Sequence, residues 1–171
     1  MASIGHVLVG AAASKAYRTG QRTKLTPVAA AVVWSALSLL PDVDVIGFKL
    51  GVRYADEWGH RGATHSLAFA LGVAAVVGLV ARAMRAPAWR TALIAAVVVA
   101  SHSLLDTMTD GGLGCALLWP FSNERFFAPW RPIPVAPIGT RLFSSHGLHV
   151  MAIELAMFLP LFLWAFWPRR R

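Results

Sequence analysis

Three long apolar runs, residues 66–83, 88–107 and 148–167, constrain this 171-residue chain more than any other feature. Each is long enough to cross a bilayer, which takes roughly 20 residues of helix. Two earlier runs, 4–17 and 27–40, are rich in Ala, Val and Leu but shorter, and are expected to tilt, enter partway or span a thinned site. The expected fold is therefore all-α: a polytopic membrane helical bundle of about five helices, three clear transmembrane spans plus two shorter N-terminal helices. One integral-membrane domain should cover residues 1–171. A composition of 57% hydrophobic and 14% charged residues, with mean hydropathy +0.58, excludes a disordered chain and argues against an ordinary soluble domain. The first positive charge, Lys15, follows the N-terminal apolar run instead of preceding it, so that run is not expected to be a secretory signal.

Two long stretches, 43–63 and 110–147, separate the runs and are expected to be irregular; the second carries six of the ten prolines and an aromatic cluster around Trp119, Phe121, Phe126, Phe127 and Trp130. Aromatics of this kind favour an ordered loop seated at the membrane interface. If the helices alternate in direction, Lys15, Arg18, Arg22, Lys24, Arg82, Arg85, Arg90, Arg169, Arg170 and Arg171 share one side, with no acid among them. The opposite side receives Lys49, Arg53, Arg61, Arg125, Arg131 and Arg141 with nearly all the carboxylates. The positive-inside rule makes the more basic side cytoplasmic, placing the N-terminus outside and the C-terminus inside. A net charge of +8 would suggest nucleic acid in a soluble protein, but divided by side it leaves the acidic face without a basic excess to hold a polyanion. No nucleic-acid partner is expected; oligomeric state is not legible.

The same topology gathers ionisable residues at one membrane face. His6 opens the first run, Asp42 and Asp44 follow the second, His60 and His65 precede the third, and His102 and Asp106 close the fourth. Such groups beside hydrocarbon are costly, so their convergence points to function. His102 and Asp106, four apart, share a helix face and suit either metal ligation or a structural hydrogen bond. Asp42 and Asp44 flank a bend that lets both reach one cation or bridge two; the alternative is helix termination with solvated carboxylates. His60 and His65, five apart, cannot share a helix face squarely, which puts His60 in the Gly59-His-Arg-Gly62 turn. With the lone Cys115 offering no thiolate pair, any metal must be held by imidazole and carboxylate, a set that fits zinc, manganese or iron. Arg61 is expected to meet a phosphate or a developing negative charge, or else to anchor at the headgroups. Asp110 reads as a turn residue, His146 and His149 as interface histidines, and Glu154 as a group that satisfies a neighbour.

The motifs Leu40-Pro-Asp-Val-Asp44, Gly59-His-Arg-Gly-Ala-Thr-His-Ser66, Ser101-His-Ser-Leu-Leu-Asp106 and Leu118-Trp-Pro120, with His6 in an opening Gly-His-x-x-x-Gly10, resemble the YdjM-like family of predicted inner-membrane metal-dependent hydrolases. More distantly they are similar to the zinc phospholipase C and P1 nuclease group, which splits phosphate esters with zinc ions held by His and Asp. The resemblance implies a hydrolase in which His102 and Asp106 match a His-x-x-x-Asp helix pair, Asp42 or Asp44 a bridging carboxylate, and His65 a further ligand. A second His-x-x-x-Glu pair is missing, since His149 to Glu154 is one residue too long.

On this reading the metal ligands are drawn from His6, Asp42, Asp44, His60, His65, His102 and Asp106. They are expected to hold two divalent ions, with zinc favoured over manganese and iron. Asp44 bridges the ions or accepts the proton of the attacking water, and Arg61 meets the phosphate. The expected substrate is a membrane lipid or polyprenyl phosphate headgroup at the extracytoplasmic face of the inner membrane. The alternatives are a lipid amide hydrolase and a non-enzymatic metal- or proton-handling membrane protein.

Overall fold

The computed structural model describes residues 3–19 and 25–167. Arg22, Lys24, Arg169, Arg170 and Arg171, assigned above to the basic side, lie outside the described residues. The described chain runs through six α-helices: α1 (Ser3–Arg18), α2 (Pro27–Ser38), α3 (Leu67–Ala83), α4 (Ala88–Thr107), α5 (Ser145–Met157) and α6 (Leu159–Phe166). Tighter 3₁₀ segments occupy Leu40–Leu50, Ala63–His65 and Gly139–Phe143. Among the described residues there is no strand, only isolated bridges pairing Thr109 with Ile133 and Cys115 with Phe126. The all-α expectation stands, and the helices start where the sequence supplies caps. Thr26 Oγ1 accepts from Ala29 N at 3.1 Å just before Pro27, and Ser66 Oγ accepts from Phe69 N at 3.0 Å.

The division into spans differs from the expectation. Among the described residues only α4 is long and apolar enough to cross a membrane by itself, or up to three spans exist if each bent helix pair counts as one. The run expected over 148–167 is broken into α5 and α6, which meet at 67°. Pro160 sits in the first turn of α6, where it has no N–H to give back to α5 and its ring would clash with the carbonyl four residues earlier. The second run bends by 55° after α2 and continues as the 3₁₀ segment Leu40–Leu50, with Pro41 at the break and Gly51 closing it at φ 83°. Part of the stretch expected to be irregular is therefore helical, and a short run becomes half of a bent pair. α3 has 17 residues and, at about 1.5 Å each, falls short of a hydrocarbon core of about 30 Å.

Small residues set the packing. α1 lies on α2 and α3 on α4, with α4 also touching α1 and α2. At Gly10 an added Cβ would stand 2.3 Å from the Cα of Ser35, so α2 crosses directly over this glycine. Tyr17, Trp34, Ala74, Ala95 and Val98 fill the space between the pairs. Basic side chains close helix ends: Lys15 Nζ donates to the carbonyls of Trp164 and Trp167, and Arg90 Nη2 to that of Ala16 at 3.1 Å.

The opposite polarity is served at the start of α1. The buried Glu154 of α5 accepts from Ile4 N at 2.7 Å and Gly5 N at 3.2 Å, placing a carboxylate on the free donors of a helix N-terminus. Glu154 does satisfy a neighbour, and it fixes the turn that carries His6. Glu154→Ala strips both donors of their acceptor in a buried place, where each costs about 1–3 kcal/mol. A clear fall in thermal unfolding temperature is expected in detergent; an unchanged temperature would show that α1 is held elsewhere.

Candidate metal centre

The start of α1, the bend after α2, the turn before α3 and the end of α4 meet at one end of the bundle. There His6, Asp42, Asp44, His60, Arg61, His65, His102 and Asp106 are all buried. His102 and Asp106 lie one turn apart on α4, as their spacing requires. His60 and Arg61 occupy the expected turn, closed by Gly62 N to Gly59 O at 2.9 Å. Arg61 has φ 65°, uncommon for a residue with a side chain, and its backbone is pinned there from both directions. Its N–H reaches Asp44 Oδ2 at 3.1 Å and its carbonyl accepts from Ala116 N at 2.9 Å.

Hydrogen bonds settle which imidazole nitrogens are free. His102 Nδ1 lies 2.7 Å from the carbonyl of Ser38, which can only accept, so Nδ1 carries a proton, and in the neutral ring Nε2 has the lone pair. His65 Nδ1 lies 3.1 Å from Asp44 Oδ2 and 3.2 Å from Thr64 Oγ1, whose own hydroxyl is donated to Asp44 at 2.7 Å. His65 Nδ1 is thus a donor too. The two Nε2 atoms then face each other at 3.2 Å, and Asp42 Oδ1 lies 3.4 Å from that of His102 and 3.6 Å from that of His65. Two lone pairs and a carboxylate in contact repel unless a cation or a proton lies between them.

The set passes a direct test of fit to a metal. Asp42, His65, His102 and Asp106 each offer a ligand atom within 4.8 Å of the others. A tetrahedral zinc site with bonds of about 2.0–2.1 Å separates its ligand atoms by roughly 3.3 Å, close to the spacings found here. Both oxygens of the buried Asp42 lack a hydrogen-bond partner. Each histidine has the acceptor behind it that metal-bound imidazole requires: a backbone carbonyl for His102, Asp44 for His65. Charge agrees as well. Asp42, Asp44 and Asp106 against Arg61 leave two negative charges in a buried place, which one divalent cation neutralises. Without metal a proton takes part of that role: burial alone would lower the His65 pKa, but the carboxylates of Asp42 and Asp44 raise it to about 9.

The remaining residues surround this set. Asp44 is surrounded by donors, from His60 Nδ1 at 2.8 Å, Thr64, the Arg61 backbone and His65, and so orients histidines. It also forms a second possible ligand group with His60 and His65, but the two groups share the His65 ring. His6 stacks on His102 with ring centroids 3.7 Å apart and places Nε2 3.2 Å from Asp106 Oδ1. Arg61 Nε lies 2.9 Å from Asp106 Oδ2 and Nη1 donates to Gly111 O at 2.9 Å, while Nη2 has no hydrogen-bond partner. Gly112, at φ 87°, gives the guanidinium room: a Cβ there would stand 2.8 Å from Nη1.

Sequence reasoning missed Ser38, Thr64 and Arg125. Ser38 acts through its carbonyl, which no residue type announces. Arg125 ties the carbonyls of His60, Tyr54 and Asp56 and so holds the 53–62 turn. Asp110 accepts from Val135 N at 2.8 Å, a brace across its loop, and His146 and His149 are exposed and apart from the cluster.

The YdjM inner membrane protein family matches residues 1–170. The inner membrane protein YbcI of Escherichia coli (strain K12) is 42% identical over 170 residues, covering 96% of this chain and 98% of that protein. No solved structure matches.

Proposed function

The chain belongs to the YdjM inner membrane protein family, and we propose that it is an inner-membrane hydrolase using one divalent cation held by His65, His102 and Asp42 beside Asp106. The observation that carries this reading is the pair of Nε2 atoms of His65 and His102, 3.2 Å apart against a carboxylate with no hydrogen bond of its own. Zinc suits two imidazoles and a carboxylate without thiolate, with manganese or iron as substitutes. When bound, the ion supplies Lewis acidity and brings the pKa of a bound water toward neutrality. One ion is favoured over two, because both ligand groups depend on the single ring of His65.

The chain's own groups divide the remaining work. Asp106 is engaged by His6 and Arg61, so of the four residues that would hold the ion it is the one already committed to other partners. Asp42 offers the carboxylate oxygen that no donor occupies, and accepts the proton of the attacking water. Asp44, expected to be bridge or base, is instead assigned to positioning His65 and His60, because its oxygens already accept. Arg61 Nη2 is the donor available to a phosphoryl oxygen. The water oxygen bonds to phosphorus, the ester P–O bond breaks, and the leaving alkoxide takes the proton back from Asp42.

Membrane setting favours a lipid or polyprenyl phosphate over a soluble ester or nucleic acid, and the division of charge in the sequence is the support for a site at the extracytoplasmic face. The expected likeness to the zinc phospholipase C and P1 nuclease group has no support beyond the His102–Asp106 spacing. Zinc-loaded protein in lipid nanodiscs should release the phosphate-bearing product from long-chain lipid phosphates, and Asp42→Asn should lower turnover by about 100-fold or more. Release of fatty acid from an N-acyl lipid would favour the amide reading instead. Absence of turnover on both, with metal bound, would mark a non-catalytic metal centre.

A further inference from the structure

Resting on that hydrolase reading, we propose that the seam between α2 and α3 seats one hydrocarbon chain of the membrane amphiphile whose headgroup lies at Asp42. α2 packs on α1 and α4, and α3 on α4, but among the described residues the backbones of α2 and α3 do not come together. The gap between them is a cavity of about 460 Å³, within the range of ligand pockets, lined by Leu37, Leu40, Phe69, Gly72, Val73 and Val76. Its lining is almost wholly apolar, so no headgroup belongs inside it, whereas an alkyl chain does.

Both walls run into the metal centre. Leu40 is two residues before Asp42, and Ser38, between Leu37 and Leu40, gives its carbonyl to His102. On the other wall Phe69 is four residues after His65. Asp42 is also the most exposed member of the four-residue cluster, at 8% against 0% for His65, His102 and Asp106. A chain lying in the seam has its polar end beside Asp42, whose two buried oxygens have no hydrogen-bond partner.

Gly72 makes the seat testable without touching a ligand. A side chain begun there meets nothing within 4 Å, so Gly72→Trp and the smaller Gly72→Leu grow into the cavity without displacing backbone. The probe is hexadecyl phosphate with a diazirine in mid-chain, photolysed with zinc-loaded protein in nanodiscs, with diazirine-bearing hexadecanol as the comparison. Saturable labelling concentrated on Phe69, Val73 and Val76 is expected, weaker with the alcohol, and cut about tenfold or more by Gly72→Trp at unchanged metal content. Labelling spread evenly to Leu79, Val80 and Val97, or insensitive to both Gly72 variants, overturns the seat. Equal labelling by the two probes overturns the placement of the headgroup at the cluster. Saturable labelling of the seam without any hydrolysis would sink the hydrolase reading and leave the seat standing. Hydrolysis with no labelling there would do the reverse.

Discussion

Asp44→Asn should retain one bound metal ion per chain with affinity lowered about 10–100-fold, whereas His102→Ala should retain none. The difference follows from where each side chain acts. His102 presents Nε2 to His65 Nε2 and Asp42, so its removal deletes a ligand. Asp44 acts one bond further out. It accepts from His60, Thr64 and the Arg61 backbone and lies behind His65 Nδ1, so it fixes the tautomer and ring angle of His65. An asparagine there keeps the volume but offers one acceptor oxygen in place of two and removes a negative charge from the cluster. Elemental analysis of detergent-purified protein gives the stoichiometry, and titration against a chelator gives the affinity, at matched thermal stability. Complete loss of metal from Asp44→Asn would make Asp44 a ligand and move the site to the Asp44–His60–His65 group. Two ions per chain in the wild type would require the His65 ring to serve both groups. A full ion in His102→Ala would remove the His65–His102 pair from the centre.

Much of this centre was legible because its residue types are improbable where they stand. Imidazoles and carboxylates at the ends of apolar runs have few neutral explanations, and one topological assumption, alternating helices, sufficed to bring them to one end. His102 and Asp106 needed only helical periodicity. Ligand and support could not be separated in sequence: Asp42 and Asp44 stand two apart with the same chemistry, and only hydrogen-bond partners distinguish the free carboxylate from the saturated one. The break before Pro160 was visible in principle, since an interior proline kinks a helix, but hydrophobicity alone read through it. Continuation of α2 into the 3₁₀ segment was less visible, because Pro41 and two aspartates look like a helix stop. Length misled at α3, whose apolar run is real but ends a turn short of a comfortable span.

Arg61→Ala should destabilise the metal-free protein by about 3–5 kcal/mol, the range for removing one partner of a buried ion pair. The guanidinium is fully buried, with Nε 2.9 Å from Asp106 Oδ2 and Nη1 on the carbonyl of Gly111. Its loss leaves three carboxylates in a buried cluster with no permanent positive charge among them. Lysine should not rescue the variant, because a single ammonium cannot hold Asp106 and Gly111 together in the geometry of the planar fork. The backbone strain is common to arginine and alanine, since both carry a Cβ at φ near 65°; Arg61→Gly relieves it by about 1–2 kcal/mol while leaving Asp106 just as bare. Metal loading should then narrow the gap between Arg61→Ala and the wild type, since a divalent cation among the same carboxylates supplies the missing charge. Thermal unfolding of wild type, Arg61→Ala and Arg61→Gly, each with and without zinc, separates these contributions. Equal stability of Arg61→Ala and wild type without metal would show that the Arg61–Asp106 pair does not hold the site together. A gap that zinc leaves unchanged would place the bound cation away from Asp106.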